Sequence, residues 1–170
     1  MKKNIILIIS CSILIMLTAC DNNKTKDANE PSAKEATASN EDKDLTGTFT
    51  AGGKTYTGKV STQNFEATGQ YSVLCQSDTD PNDSKLIQFV FKDEKSGRAG
   101  GSITTAYDQG KDQTATEASL TFDTRYRSYE DAKGTVTVNK NGSNNELVFN
   151  NVTLKTMSKE TVVVSGKIPF

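Results

Sequence analysis

Between residue 45 and the last residue of the sequence, several short segments alternate apolar and polar residues with a period of two. The segment EASLTFD places Ala118, Leu120 and Phe122 on one face of an extended chain. The segment GTVTVN repeats the pattern with Val136 and Val138. Such alternation is typical of half-buried strands, and no segment of this region has a sustained helical period. The region therefore predicts an all-β fold.

Turn-forming residues separate these strands. Gly52-Gly53 lies between two threonine-rich runs, and Asn141-Gly142 lies between TVTVNK and NNELVFNNVTLK, so both pairs predict hairpins. The segment KLIQFVFK is apolar on both faces, which favours a central strand. Further strands are expected at 70–76, 101–107 and 161–168, which gives eight to ten strands in all. We interpret the polar loops 93–101 and 108–117 as hairpin connections between strands.

Two architectures fit this number of strands. We expect an antiparallel β-sandwich, because short alternating strands with regular turns are typical of that fold. The alternative is an up-and-down, lipocalin-like barrel. The choice bears on function, because a closed barrel of about eight strands has room for one small ligand.

Composition excludes several kinds of activity. The chain has no histidine, so neither a Ser-His nor a Cys-His dyad is available, and no imidazole metal ligand. Its 20 basic and 21 acidic side chains give a formal net charge of −1, which argues against a nucleic-acid surface. We expect a protein that is not an enzyme and that uses no cofactor and no metal.

The first twenty residues have the anatomy of a secretory signal. Lys2 and Lys3 precede an apolar run from Ile5 to Leu17 that is shorter than the roughly 20 residues of a transmembrane helix. The run ends on Leu-Thr-Ala followed by Cys20, which resembles the lipobox of bacterial lipoproteins. That resemblance implies cleavage before Cys20 and attachment of lipid to its sulfur, with fatty acyl chains such as palmitate.

The lipobox divides the chain into three parts. Residues 1–19 are the expected signal peptide, residues 20–44 the lipidated cysteine and a tether, and residues 45–170 the β domain. The tether has no aromatic residue and no Val, Leu, Ile or Met, so it has too little to bury to fold by itself. We therefore expect a bacterial cell-envelope protein held at a membrane through Cys20, with its domain outside the cytoplasm. The sequence does not choose between the inner and outer membranes.

A second resemblance concerns the domain. The segments GTFTAGGKTYTG, GTVTV and VVVSGKIPF look like those of small uncharacterised bacterial lipoproteins with a β-sandwich after the lipobox. This resemblance implies a fold and a location, and it assigns no catalytic residue.

Two segments of the domain suggest chemistry that we set aside. Cys75 shares a strand face with Tyr71 and Val73, so we expect a packed, inert side chain. The loop SDTDPNDS begins like a calcium loop at Asp78, but Asp83 and Phe89 stand where an EF-hand needs glycine and glutamate. We interpret the loop as a solvated turn.

The segment RYRSYED is the candidate binding site. Tyrosine and arginine contribute the most binding energy at protein interfaces, so Tyr126, Arg127 and Tyr129 are the candidate contact residues. The competing interpretation is that these residues cover the core and pair with nearby acids.

Three functions remain open after these observations. The first is a non-catalytic binding or structural module with an unknown protein or small-molecule partner. The second is a lipocalin-like carrier of a small apolar ligand. The third is a glycosidase that uses two carboxylates alone, for which the sequence singles out no pair.

Overall fold

The structure is a computed structural model, and it describes residues 44–77, 83–106 and 113–170. The expected signal peptide, Cys20 and the tether up to residue 43 lie outside the described residues. The same is true of 78–82 in the loop that begins like a calcium site, and of 107–112.

Ten strands and one short helix form the described chain. The strands are β1 (Thr46–Ala51), β2 (Lys54–Asn64), β3 (Tyr71–Ser77), β4 (Leu86–Phe91), β5 (Gly101–Ala106), β6 (Glu117–Phe122), β7 (Tyr126–Arg127), β8 (Thr135–Asn141), β9 (Asn144–Lys155) and β10 (Thr161–Pro169). The helix α1 (Glu94–Gly97) lies between β4 and β5. The prediction of an all-β fold is confirmed.

The strands close into a barrel. Nine of them follow one another around the wall in the order β10-β1-β2-β3-β4-β6-β5-β8-β9, and β9 pairs with β10 to complete the circle. The expected β-sandwich is therefore wrong, and the barrel alternative is right about closure. The reason is β10, which pairs with β1 on one side and β9 on the other, so that the first and last strands leave no open edge.

The barrel is not of the simple up-and-down kind. A closed wall with an odd number of strands cannot alternate in direction throughout, so at least one pair of neighbours is parallel. That pair is β5 and β6, in which Thr104 lies beside Glu117 and Ala106 beside Ser119. The loops 93–101 and 108–117 consequently connect strands that are not antiparallel neighbours, and their interpretation as hairpins was wrong.

The strand directions define two ends. We call the end of the barrel where β1 begins the proximal end. The end where the turn from β1 into β2 lies is the distal end. Gly52 and Gly53 form that turn with φ of 57° and 82°, as the hairpin prediction requires. The hairpin between β8 and β9 lies at the proximal end and is also confirmed, although its two turn residues are Gly142 and Ser143, since Asn141 pairs with Asn144.

A different set of strands forms the wall at the distal end. There β5 and β8 are absent, and the two-residue strand β7 fills the space by pairing with β6 and β9. Arg127 lies opposite Thr121 on one side and Lys155 on the other. Both β7 pairings are antiparallel, so the wall has eight antiparallel strands here and nine strands further along.

Ser128 lies at the junction between the eight-stranded and nine-stranded parts of the wall. Its side chain is completely buried, and it lies where β5 stops and β7 takes over. The Leu120 N–H donates to Ser128 Oγ at 2.9 Å, and Ser128 Oγ donates to the Ala106 carbonyl at 2.7 Å. The Ser128 N–H donates to the Leu120 carbonyl at 2.8 Å. Ser128 thus supplies hydrogen-bond partners to backbone groups that would otherwise have none where β7 replaces β5 in the wall.

The interior of the barrel holds large side chains. Those that are almost wholly buried include Phe49, Tyr71, Phe89, Phe91, Phe149, Leu120, Leu147, Leu154 and Ile168. Packing is tight at the glycines among them. A Cβ built on Gly47 would lie 2.9 Å from Cys75 Sγ, and one on Gly166 would lie 2.7 Å from the Phe149 ring. These strands approach so closely because those two positions have no side chain.

We predict that Ser128→Ala lowers the free energy of unfolding by about 1–3 kcal/mol, because it leaves the Leu120 N–H and the Ala106 carbonyl buried without that partner. Urea denaturation followed by circular dichroism measures the loss. Ser102→Ala is the matched control, since Ser102 is exposed on β5. Equal, small effects of the two substitutions would show that the Ser128 hydroxyl does not hold the wall together.

Candidate functional site

The structure separates the three candidate contact residues. Tyr126 lies opposite Phe122 in the pairing of β6 and β7, and its ring centroid is 5.9 Å from that of Phe122. Its side chain therefore faces the barrel interior. Arg127 follows it in the same strand and so faces outward. Tyr129 lies beyond the end of β7, near Lys155. The three candidates therefore do not lie on one surface, and a role in binding stays a prediction for each of them.

Tyr126 completes an aromatic group at the distal end, which we call the distal cluster. Phe49 and Tyr56 stack across the first hairpin with centroids 5.3 Å apart. Phe122 lies 6.1 Å from Phe49 and 6.5 Å from Tyr56. Phe49, Tyr56 and Phe122 are buried, whereas Tyr126 is half-buried. Tyr126 is consequently the member of the cluster with the most surface in contact with solvent.

Five charged side chains form a chain of ion pairs at the same end, which we call the ionic rim. Asp83 contacts Lys54 at 3.8 Å and Lys85 at 3.0 Å, and Lys85 also contacts Asp123 at 3.6 Å. Asp123 then accepts a hydrogen bond from Arg125 at 3.0 Å. The charges alternate in sign along the rim, with a cation at each end.

Arg125 connects the rim to the cluster. Its Cζ lies 5.5 Å from the centroid of the Tyr126 ring, within the range of a cation–π contact. Asp123 holds the guanidinium there, yet the Arg125 side chain remains 64% exposed. A guanidinium fixed in this way keeps most of its five N–H donors available to a ligand or partner. The guanidinium of Arg125 is thus held in one orientation against the ring of Tyr126 and stays accessible to solvent.

The ion pairs of the rim shift its pKa values in the directions that favour charge. The hydrogen bond from Lys85 is the main reason that the pKa of Asp83 lies below 3.8. The same bond raises the pKa of Lys85 above 10.5. The ion pair therefore favours the charged form of both groups.

A second group of polar residues lies on the outer face of the wall near β7. Lys155 donates to Asp131 at 2.9 Å, and its ammonium lies 5.9 Å from the centroid of the Tyr129 ring. The hydrogen bond from Lys155 lowers the pKa of Asp131. Arg127 lies beside Lys155 in the sheet. Tyr129 and Arg127 thus belong to this outer group, and Tyr126 belongs to the distal cluster.

The proximal end is closed by a different arrangement. The Arg98 guanidinium lies 5.4 Å from the ring of Tyr71 and 5.9 Å from that of Phe170, and it donates to Glu94 at 2.8 Å. Burial raises the pKa of the Tyr71 phenol, against the opposing effect of the Arg98 charge. Asp93 begins α1 by accepting hydrogen bonds from the Ser96 N–H and hydroxyl, both at 2.7 Å. These contacts serve the closure of the barrel.

Two other predictions concern single residues. Cys75 is completely buried, with its Sγ 3.7 Å from the Gly58 carbonyl, so the prediction of a packed side chain is confirmed. Asp83 lies at the end of the loop that begins like a calcium site, and it pairs with Lys54 and Lys85. Within 44–77, 83–106 and 113–170, no group of three or more His, Cys, Asp or Glu side chains is placed to hold a metal ion.

Sequence reasoning did not find Phe49, Tyr56 or Lys85 as neighbours of the Arg125–Tyr126 pair. A signal for the first two was present, because Thr-Phe-Thr and Thr-Tyr-Thr flank Gly52-Gly53 and a two-residue hairpin turn sets their rings opposite each other. No local signal brings Lys85 and Arg125 together, since their proximity depends on the pairing of β4 with β6.

In the part of the chain that the structure describes, no helix has the length and apolar character needed to cross a membrane. No protein-family model matches the sequence, and no curated protein and no solved structure is significantly similar to it.

We predict that the carboxyl of Asp83 titrates below 3.8 and that Lys85→Ala moves its midpoint back towards 3.8. Because the folded pKa is lowered, the contribution of Asp83 to stability is present above 3.8 and is lost as the pH falls through the lower folded value. A pH titration of the side-chain carboxyl by NMR measures the midpoint. An unchanged midpoint in Lys85→Ala would contradict the assignment of the shift to that ion pair.

Proposed function

We propose that this protein is a lipid-anchored lipoprotein of the bacterial cell envelope whose barrel is a non-catalytic binding module. Its contacts are made at the distal end, with Tyr126 and Arg125 at their centre. The lipobox at Cys20 supports the anchor, and the tether joins the domain at residue 45. The observation that carries the proposal is the accessible guanidinium of Arg125, which is fixed on the Tyr126 ring by Asp123.

Chain direction supports the choice of the distal end. Strand β1 runs from Thr46 at the proximal end to Ala51 beside the distal turn. The expected tether therefore enters at the proximal end, and the distal cluster lies at the opposite end of the strands. A domain held from one end presents the other end to molecules that lie further from the lipid surface.

The residue types at the distal end are those of protein interfaces. Tyr and Arg are enriched among residues that dominate binding energy, and Met is enriched across interfaces. Met157, in the turn between β9 and β10 at this end, is 89% exposed, and Val163 near the start of β10 is 48% exposed. They are the exposed large apolar side chains of the described residues. We therefore favour a protein partner.

The carboxylates support a role without catalysis. A glycosidase that works with two carboxylates needs one of them protonated near neutral pH, which requires a raised pKa. The carboxyl groups of the described residues with shifted pKa values are all shifted downwards by hydrogen bonds or ion pairs. They are Asp83, Asp93, Glu94 and Asp131.

A carrier of a small apolar ligand is the second candidate, and the closed barrel is the observation that favours it. Ring pairs such as the stacked Phe49–Tyr56 and the tilted Phe89–Phe149 occupy space that a carrier needs for its ligand. A ligand that stays bound to the purified barrel in native mass spectrometry would favour the carrier over the binding module.

Photo-crosslinking in intact bacteria tests the distal contact. A photoreactive amino acid replaces Lys54 on the ionic rim, or Asn141 at the proximal hairpin as the matched control, because both side chains are exposed. We expect a discrete crosslinked product from position 54 that weakens at least fivefold when Tyr126→Ala and Arg125→Ala are added. A product of equal yield from position 141 would contradict the proposal.

The same cells test the anchor. We expect the Cys20→Ser chain to lose incorporation of a labelled fatty acid and to leave the membrane fraction, because lipid at that sulfur is the proposed attachment. Ser12 and Cys11 stay unchanged, so the apolar signal is intact in both chains. Retention of the label after Cys20→Ser would refute the lipid assignment.

A further inference from the structure

The turn between β6 and β7 has an unfavourable backbone. Asp123 and Thr124 have φ of 49° and 54°, in the left-handed region that residues with a Cβ rarely adopt. Thr124 is also β-branched, which makes the conformation less favourable still. The Arg125 N–H donates to the Asp123 carbonyl at 2.6 Å, which closes a γ-turn around a residue with positive φ. Turns of that kind are rare and strained.

The strand that follows this turn is held by few pairs. Strand β7 pairs with β6 at two positions and with β9 at one. The turn also divides the barrel unequally in sequence, since β1 to β6 precede it and β7 to β10 follow it. Short connections under strain favour the exchange of identical segments between two copies of a protein.

We propose that the chain forms a strand-exchanged dimer with a second copy of itself, with Asp123–Thr124 as the hinge. In this dimer β6 continues into β7 as one extended strand, so both residues leave the left-handed region. Each barrel contains β1 to β6 of one copy and β7 to β10 of the other. The pairings within each barrel, including those of Ser128, are the same as in the monomer. The relief of strain at two hinges is what favours the dimer.

The pairing of β1 with β10 gives a direct test. Thr48 and Lys167 are partners in that pair and are both exposed, and directly opposite residues of an antiparallel pair are close enough for a disulfide. In a monomer a 48–167 disulfide lies within one chain. In the exchanged dimer it joins two chains, because β1 and β10 of each barrel come from different copies.

The experiment uses the full-length chain in detergent with Cys11→Ser and Cys20→Ser, so that buried Cys75 is the remaining native thiol. Thr48→Cys/Lys167→Cys is refolded at high protein concentration, the dimer fraction is isolated and oxidised, and a non-reducing gel is run. Thr48→Cys/Thr57→Cys is the matched control, because β1 and β2 stay in one chain and these side chains are 3.4 Å apart.

We expect a covalent dimer from the 48–167 pair and only monomer on the gel from the 48–57 pair. A 48–167 disulfide that stays within single chains in the dimer fraction would show association through surfaces and would overturn the proposal. The absence of a dimer fraction at every concentration would overturn it as well.

The hinge itself is tested by relieving strain at single residues. Thr124→Gly should raise the dissociation constant of the dimer by roughly tenfold or more, because glycine adopts positive φ readily in the closed turn. Lys159→Gly is the control, since Lys159 has a φ of 66° in the turn between β9 and β10. It should change the constant less than twofold. An equal effect of Lys159→Gly, or no effect of Thr124→Gly, would overturn the assignment of the hinge.

Discussion

The hydrogen bonds of Ser128 are the interaction on which the rest of the barrel depends. A closed wall of nine strands must include a parallel pair, and the β5–β6 pair stops well before the distal end. Strand β7 continues the wall only if the backbone groups of Leu120 and Ala106 find new partners where β5 ends. The buried hydroxyl of Ser128 supplies both a donor and an acceptor at that point. The eight-stranded distal wall follows from it.

The distal site is a consequence of that wall. Because β7 lies beside β6, Tyr126 comes opposite Phe122 and faces inward, and the preceding turn brings Arg125 over its ring. Asp123, in the same turn, links Arg125 to Lys85 on β4's side of the barrel. The proposed contact surface and the strained hinge are therefore parts of one short segment. Binding at Arg125 and exchange at Thr124 are expected to influence each other for this reason.

Much of the fold could be predicted because strands and turns leave local patterns in the sequence, namely alternating apolar residues and turn-forming pairs. Alternation at Leu120 and Val136 identified β6 and β8, and Gly52-Gly53 identified the first hairpin. Closure could not be predicted, because inward-facing residues alternate in the same way in a sandwich and in a barrel. The parallel pair was missed because Thr104 pairs with Glu117 across a long connection that carries no sign of direction.

The candidate site was likewise predictable in its local features and not in its long-range contacts. The tyrosines and arginines of RYRSYED were found by residue type, but the strand period that sends Tyr126 inward and Arg127 outward was not applied to them. Ser128 had no signal at all, since a serine that fills a gap between strands looks like any loop serine. Ser128 becomes important only because β5, β6 and β7 meet in the folded barrel. A long connection separates β5 from β6, and a turn joins β6 to β7.

Amide hydrogen exchange at Leu120, measured by NMR, tests the central claim most directly. The Leu120 N–H donates to the side chain of Ser128, so its protection reports the junction where β7 replaces β5. The structure predicts that this amide exchanges as slowly as those of the central pairs of β9 and β10. Exchange as fast as that of an exposed turn amide would show that Ser128 does not join β5 to β7, and the distal wall would have to be built differently.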